Sequence, residues 1–173
     1  MSDHTSREEA IQKLNELIEE IDIAMLTTVE EDGTLRSRPM VTQRSKFDGD
    51  LWFFTAVSSS KVAEVMHDRH VNLSYADPDN QSYVSISGRA QTVRDRKKME
   101  ELWNPILKTW FPKGLDEPDI ALLKVNVTHA EYWDSPSSIV VHLAGFIKSQ
   151  ITGTPPSPGE NEKIDLERSR GSI

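Results

Sequence analysis

Short apolar blocks punctuated by turn residues set the pattern of the first third of the chain. The blocks IAMLTTV (23–29), PMV (39–41) and LWFFTAV (51–57) are strand-like in composition, and Asp32-Gly33 and Asp48-Gly49 lie between them as hairpin signals. The pattern predicts two or three strands, the second and third pairing through the Phe47-Asp48-Gly49 turn, a pairing that would bring positions 36–38 back beside 58–61. The third breaks at Ser58-Ser59-Ser60, and Lys61-Val62-Ala63-Glu64-Val65-Met66 then reads as part of a helix over 59–68. Ahead of the strands, Ser6 and Glu9 make a capping-box pair, and Ile11, Leu14, Leu17, Ile18 and Ile21 recur at helical spacing. An amphipathic helix is therefore expected over 6–21.

Alternation continues downstream. His70 to Tyr75 is a further strand, closed by the Asp77-Pro78-Asp79-Asn80 turn, where proline presets φ and the Asp and Asn side chains bond nearby backbone. Ser82 to Val93 alternates over a long span, with Gly88 marking a bulge or a close backbone approach. Arg94 to Trp103 is charged and helical, Trp110 to Pro118 an aromatic loop, Asp119 to Leu123 a short helical turn, and Leu122 to Trp133 the last clear strand. Pro136 is placed to open a helix with Ile139, Leu143 and Phe146 on one side. From Thr152 the chain is rich in Pro, Gly and charge. It divides on this pattern into a domain over 1–151 and a polar, flexible tail over 152–173, mobile or draped over a partner subunit. Many strands between turns, with peripheral helices, predict a mainly β (α+β) protein. An antiparallel barrel is expected rather than a parallel α/β sheet, because closure removes exposed strand edges.

Composition narrows function more than fold. The chain has 173 residues, 36% of them apolar, enough for one domain with a real core. A formal charge of −8 argues against nucleic-acid binding, so any basic site is local. Without cysteine there are no disulfides, thiolate metal sites or cysteine nucleophiles. No run of 18 apolar residues occurs and MSDHTSREEA lacks a signal-peptide pattern; no membrane association is expected, and a cytoplasmic location is the default.

In a strand, Arg36, Arg38 and Met40 share one face and Ser37, Pro39 and Val41 the other. Two arginines on one face suit either a solvated surface or an anion site. A helix opening on Ser59, Ser60 and Lys61 offers free N–H groups, hydroxyls and the positive end of its dipole, a combination that suits a phosphate. Ordinary helix capping is the alternative for the serines. His67 and His70 have the spacing of two ligands on a helix but no third partner, so no metal site is expected. His129 and His142 have no adjacent nucleophile, and Asp116, Glu117 and Asp119 read as a solvated acidic loop. No general acid or base stands out.

The order Arg-x-Arg-Pro-Met, Leu-Trp-Phe-Phe-Thr and Ser-x-Ser-Lys resembles the pyridoxamine 5'-phosphate oxidase-like family of FMN-binding split barrels. Trp110-Phe111-Pro112-Lys113-Gly114, Ala121 to Val125, Ala130 to Asp134 and Gly159 to Lys163 resemble its general stress protein 26 branch. The resemblance implies an antiparallel split β-barrel with peripheral helices, forming a homodimer with a flavin at each interface. It implies that Arg38, Ser60 and Lys61 hold the flavin phosphate, with Arg36 and Ser59 nearby, and that the isoalloxazine lies along Pro39, Met40, Val41, Phe54 and Thr55. Tyr83 matches a position near the flavin or is a core tyrosine; Trp110 and Trp133 wall the ring or are interface or core aromatics. The C-terminal tryptophan and arginines with which the oxidases hold substrate phosphate have no counterpart, since Arg168 and Arg170 stand in a polar tail. Oxidation of pyridoxamine phosphate is therefore not expected. The implied function is a flavin-dependent oxidoreductase of a stress response that takes FMN, with FAD the alternative. A non-catalytic flavin-binding or storage module is the competing reading.

Overall fold

The computed structural model describes residues 2–134 and 160–167. Among these, seven strands form one antiparallel sheet in the order β2-β1-β4-β5-β6-β3, with β7 added beside β6. The strands are β1 (Ile23–Val29), β2 (Leu35–Val41), β3 (Asp50–Ala56), β4 (His70–Asp77), β5 (Ser82–Val93), β6 (Ile120–Asp134) and β7 (Glu160–Asp165). Helices α1 (Ser2–Ile18), α2 (Ser60–His67) and α3 (Arg96–Leu102) lie at the periphery. None of the described helices is long and apolar enough to cross a membrane.

The first predicted hairpin forms. Gly33 sits at φ +85°, where glycine carries no Cβ penalty, and Asp32 Oδ1 accepts from Thr34 N at 2.9 Å. The second does not. Among the described strands β2 pairs with β1 alone, whereas β3 pairs along its whole length with β6, from Asp50↔Asn126 to Ala56↔Ile120. The connection over 42–49 is instead tied under α1: Phe47 is buried in the core and its N–H donates to Asn15 Oδ1 at 2.9 Å. The sheet curls until β2 and β3 touch without a shared ladder, which leaves the barrel split between them.

The barrel is filled by Leu26, Leu73, Tyr75, Ile86, Leu123, Val125 and Tyr132, with Leu14 and Ile18 of α1 packed on top. α1 begins at Ser2, so Ser6 and Glu9 are interior to it rather than at its start, and it ends at Ile18 in a turn closed by Ile21 N on Ile18 O at 3.1 Å. Gly88 marks a bulge in β5: a Cβ there would stand 2.6 Å from Asn126 O of β6. The helical turn expected over 119–123 is absent. Ile120 to Leu123 are all buried and open β6, which is paired on both sides, and a continuous apolar run is what such a covered strand requires.

Part of the polar tail also belongs to the sheet. β7 pairs with β6 from Asp134↔Glu160 to His129↔Asp165, and Leu166 drops into the core. Ladder hydrogen bonds do not depend on side-chain polarity, and Ile164 and Leu166 supply the apolar anchor that composition averaged over the tail conceals. The helix expected from Pro136, with Ile139, Leu143 and Phe146, lies outside the described residues, as do Arg168 and Arg170.

Candidate functional site

Where β2 and β3 part, a cleft of about 420 Å3 opens. Pro39, Met40 and Val41 line one side, Phe54, Thr55 and Ala56 the other, and Leu107, Trp110 and Phe111 close it from the loop after α3. A small satellite core builds this wall: Phe54, Met99, Leu102, Leu107, Ile120 and Leu122 bury one another beside the barrel. Asp95 caps α3 by accepting from Lys98 N, and Asn104 with Pro105 starts the turn that carries Leu107. The Phe54 ring meets Trp103 edge-on at 5.6 Å and Phe111 at 6.4 Å, which fixes an aromatic floor.

One end of the cleft is polar. Lys61 lines it and its Nζ donates to Thr55 Oγ1 at 3.4 Å, while the Thr55 and Ser59 hydroxyls lie 3.2 Å apart. Ser59 is the N-cap of α2 by backbone position, but its side chain makes no capping bond. Ser60 is exposed at the first turn. Asp119, read from sequence as part of a solvated acidic loop, pins this junction by accepting from Ser58 N at 3.1 Å and from the Ser58 hydroxyl. Burial, and next the charge of Arg38, push the Lys61 ammonium below its ordinary range; Glu64 offsets part of this. An anion beside Lys61 would counter both effects by favouring the charged ammonium.

The β2 arginines arrive at the same end by a different route from the one expected. Strand pairing does not bring them to α2; an ion pair does. Arg38 Nη2 donates to Glu64 Oε2 at 2.7 Å and Nη1 donates to Thr28 Oγ1, with Arg38 and Glu64 14% and 9% exposed. Thr28, fully buried on β1, donates its own proton to Glu64. Arg36 is mostly exposed and lies 3.4 Å from Glu30 and 3.9 Å from Glu64. Burial pushes the Glu64 carboxyl up. Hydrogen bonds from Thr28 and Arg38 and the charges of Arg38 and Arg36 outweigh it and hold the group below its ordinary value.

Of the residues named from sequence, the cleft gathers Pro39, Met40, Val41, Phe54, Thr55, Lys61 and Trp110, with Ser59 against Thr55 and Arg36 and Arg38 tied to α2. Tyr83 and Trp133 do not line it. They face each other across β5 and β6 on the outer face of the sheet, 43% and 42% exposed. Glu64, Thr28, Leu107 and Phe111 were not read from sequence as part of a site. For Glu64 a local signal exists, its position three residues after Lys61 on the same helix face.

A family model described as pyridoxamine 5'-phosphate oxidase like matches residues 9–157. Protein bli-3 of Neurospora crassa is 30% identical over 166 residues, spanning 88% of this chain and 79% of that protein. The general stress FMN/FAD binding protein of Xanthomonas citri superposes with a TM-score of 0.65 at 28% identity, over 76% of this chain and 93% of that one. A protein related to general stress protein 26 from Clostridium acetobutylicum shares the fold, with a TM-score of 0.68 at 20% identity over 94% and 98% of the two chains.

Proposed function

This chain belongs to the pyridoxamine 5'-phosphate oxidase-like family, and from that premise we propose that it binds a flavin, FMN with FAD as the alternative, in the cleft between β2 and β3. One observation carries the reading: an aromatic-floored slot ends at a helix start where Lys61, Ser59 and Ser60 gather and the β2 arginines are tied. The donor set fits a phosphate ester, since Lys61 is partly desolvated and, among the described carboxylates, Glu64 offsets only part of that effect. Lys61, Ser59, Ser60, Arg38 and Arg36 would hold the phosphate, while Met40, Val41, Phe54 and Trp110 would exclude water from the ring and orient it. The bound flavin supplies the electron chemistry.

The same proposal makes the protein a cytoplasmic homodimer. Ile23 and Met25 on β1 join Tyr83 and Trp133 as exposed large apolar groups on the outer face, and Ile23 also borders the cleft. A second copy docked there would cover the ring and bring further aromatics to it.

Function as an oxidoreductase of a stress response is the leading form of this reading, and its electron donor and acceptor are small molecules. The second form is flavin binding without turnover, which one observation favours: none of the described residues lining the cleft is a carboxylate or a histidine. Reconstitution with FMN followed by anaerobic addition of NADH and of NADPH separates them. Bleaching of the flavin absorbance by either supports the oxidoreductase; failure with both contradicts a nicotinamide-driven one. A red-shifted, quenched flavin spectrum tests binding itself.

A further inference from the structure

Beneath the polar end of the cleft lies a carboxylate that flavin binding as described does not use. We infer that Glu64 is a positioning residue: it holds Arg38 in place for an anionic phosphate ester and acts through the guanidinium without touching the ligand. This rests on the reading of the cleft as a flavin site.

Three elements meet at one small ring of hydrogen bonds. Thr28 of β1 accepts from Arg38 of β2 and donates to Glu64 of α2, and Glu64 accepts from Arg38 at 2.7 Å. A hydroxyl that accepts one bond and donates the other fixes the direction of both. Arg38 spends two of its N–H groups here and keeps the rest of its planar fork for another acceptor. Its side chain is ordered by folding, so a phosphate meets a guanidinium whose rotamer freedom is already lost.

An unpaired carboxylate near an anion site would repel the ligand instead. The geometry decides against that role. Glu64 is paired with Arg38 at 2.7 Å and lies 3.9 Å from Arg36, so two guanidiniums offset one carboxylate. Lys61, the cation that lines the cleft, has no ion-pair partner among the described residues and hydrogen-bonds Thr55.

The test uses the purified full chain, stripped of flavin, and measures FMN and riboflavin affinity by flavin fluorescence quenching in wild type, Arg38→Met, Glu64→Gln and the double variant. Wild type is expected to prefer FMN, and Arg38→Met to lose much of that preference. Glu64→Gln is expected to weaken FMN binding about tenfold, the size usual for a partner that orients a ligating group, and to leave riboflavin within about twofold. In the Arg38→Met background the same change should cost FMN nothing more, because a residue acting through Arg38 has nothing left to position. Thr28→Val keeps the volume, breaks the ring, and should move FMN in the same direction; it carries the test if either charge variant fails to fold. FMN affinity unchanged or raised in Glu64→Gln, equal losses for FMN and riboflavin, or additive losses in the double variant would each overturn the inference while the phosphate site stands. A wild type that binds riboflavin as tightly as FMN would overturn the phosphate site, and this inference with it.

Discussion

Replacing Lys61 with methionine separates ligand binding from stability. The ammonium is partly buried beside Arg38, and these two effects push it below its ordinary value of 10.5. With a folded value below the unfolded one, the unfolded chain holds the proton more tightly, so charged Lys61 opposes folding at neutral pH. Stability should rise as pH climbs through the window just below 10.5. Methionine keeps an unbranched apolar stem and removes the charge, giving up the 3.4 Å bond to Thr55 and the attraction of Glu64, which burial and Arg38 outweigh. The ligand-free variant should therefore melt at the wild-type temperature or above it. FMN should lose one charge-assisted contact, roughly 1.5–3 kcal/mol, or about 10- to 150-fold in Kd. Riboflavin, which has no phosphate, should be unaffected. Thermal melts and fluorescence titrations on the same samples read both effects. Unchanged FMN affinity together with a lower melting temperature would refute the reasoning, because Lys61 would then be structural.

Other outcomes follow from the same geometry. Gly88→Ala forces a Cβ to 2.6 Å from Asn126 O and 2.8 Å from Val125 Cγ1; urea denaturation should show a loss of about 1–3 kcal/mol, and no measurable loss would contradict the close approach. The pairing of Glu64, whose pKa is lowered from 4.5, stabilises the fold above that pH and is lost as pH falls through the folded value. Melting temperature against pH should therefore lose part of its acid limb in Glu64→Gln, and an unchanged profile would deny that Glu64 is ionised in the fold. Trp110 is exposed yet lines the cleft, so Trp110→Ala should weaken FMN and riboflavin by a common factor, about 0.5–1.5 kcal/mol, at constant melting temperature.

Much of the cleft was legible because it is built from local patterns. Apolar composition between turn residues identifies β1 and β3, period-two alternation identifies β5, Asp32-Gly33 marks a turn whose φ suits glycine, and the serines before Lys61 announce the strand-to-helix junction. Partner choice was not legible. Nothing local to β3 distinguishes β2 from β6 as its neighbour; the decision lies in the buried Phe47 connection and in the apolar run at Ile120 to Leu123, far away in sequence. The expected meeting of the arginines with α2 does occur, but through Glu64, whose role emerges only once the curled sheet lays β2 beside the helix. Tyr83 and Trp133 are separated from the cleft by the same curl: alternation shows that a residue faces one side, and only the closed sheet shows which side is outer. β7 escaped notice because its residues are polar and its stabilisation comes from backbone pairing with β6 and from Leu166.

Titration of the flavin-stripped full chain with FMN and, separately, with riboflavin probes the split between β2 and β3 most directly. FMN should bind with a Kd of about 1 μM or below, quenching flavin fluorescence, and riboflavin should bind at least roughly tenfold more weakly, since it fills the aromatic slot but offers nothing to Lys61 and Arg38. Equal affinities, or no binding of either, would contradict it.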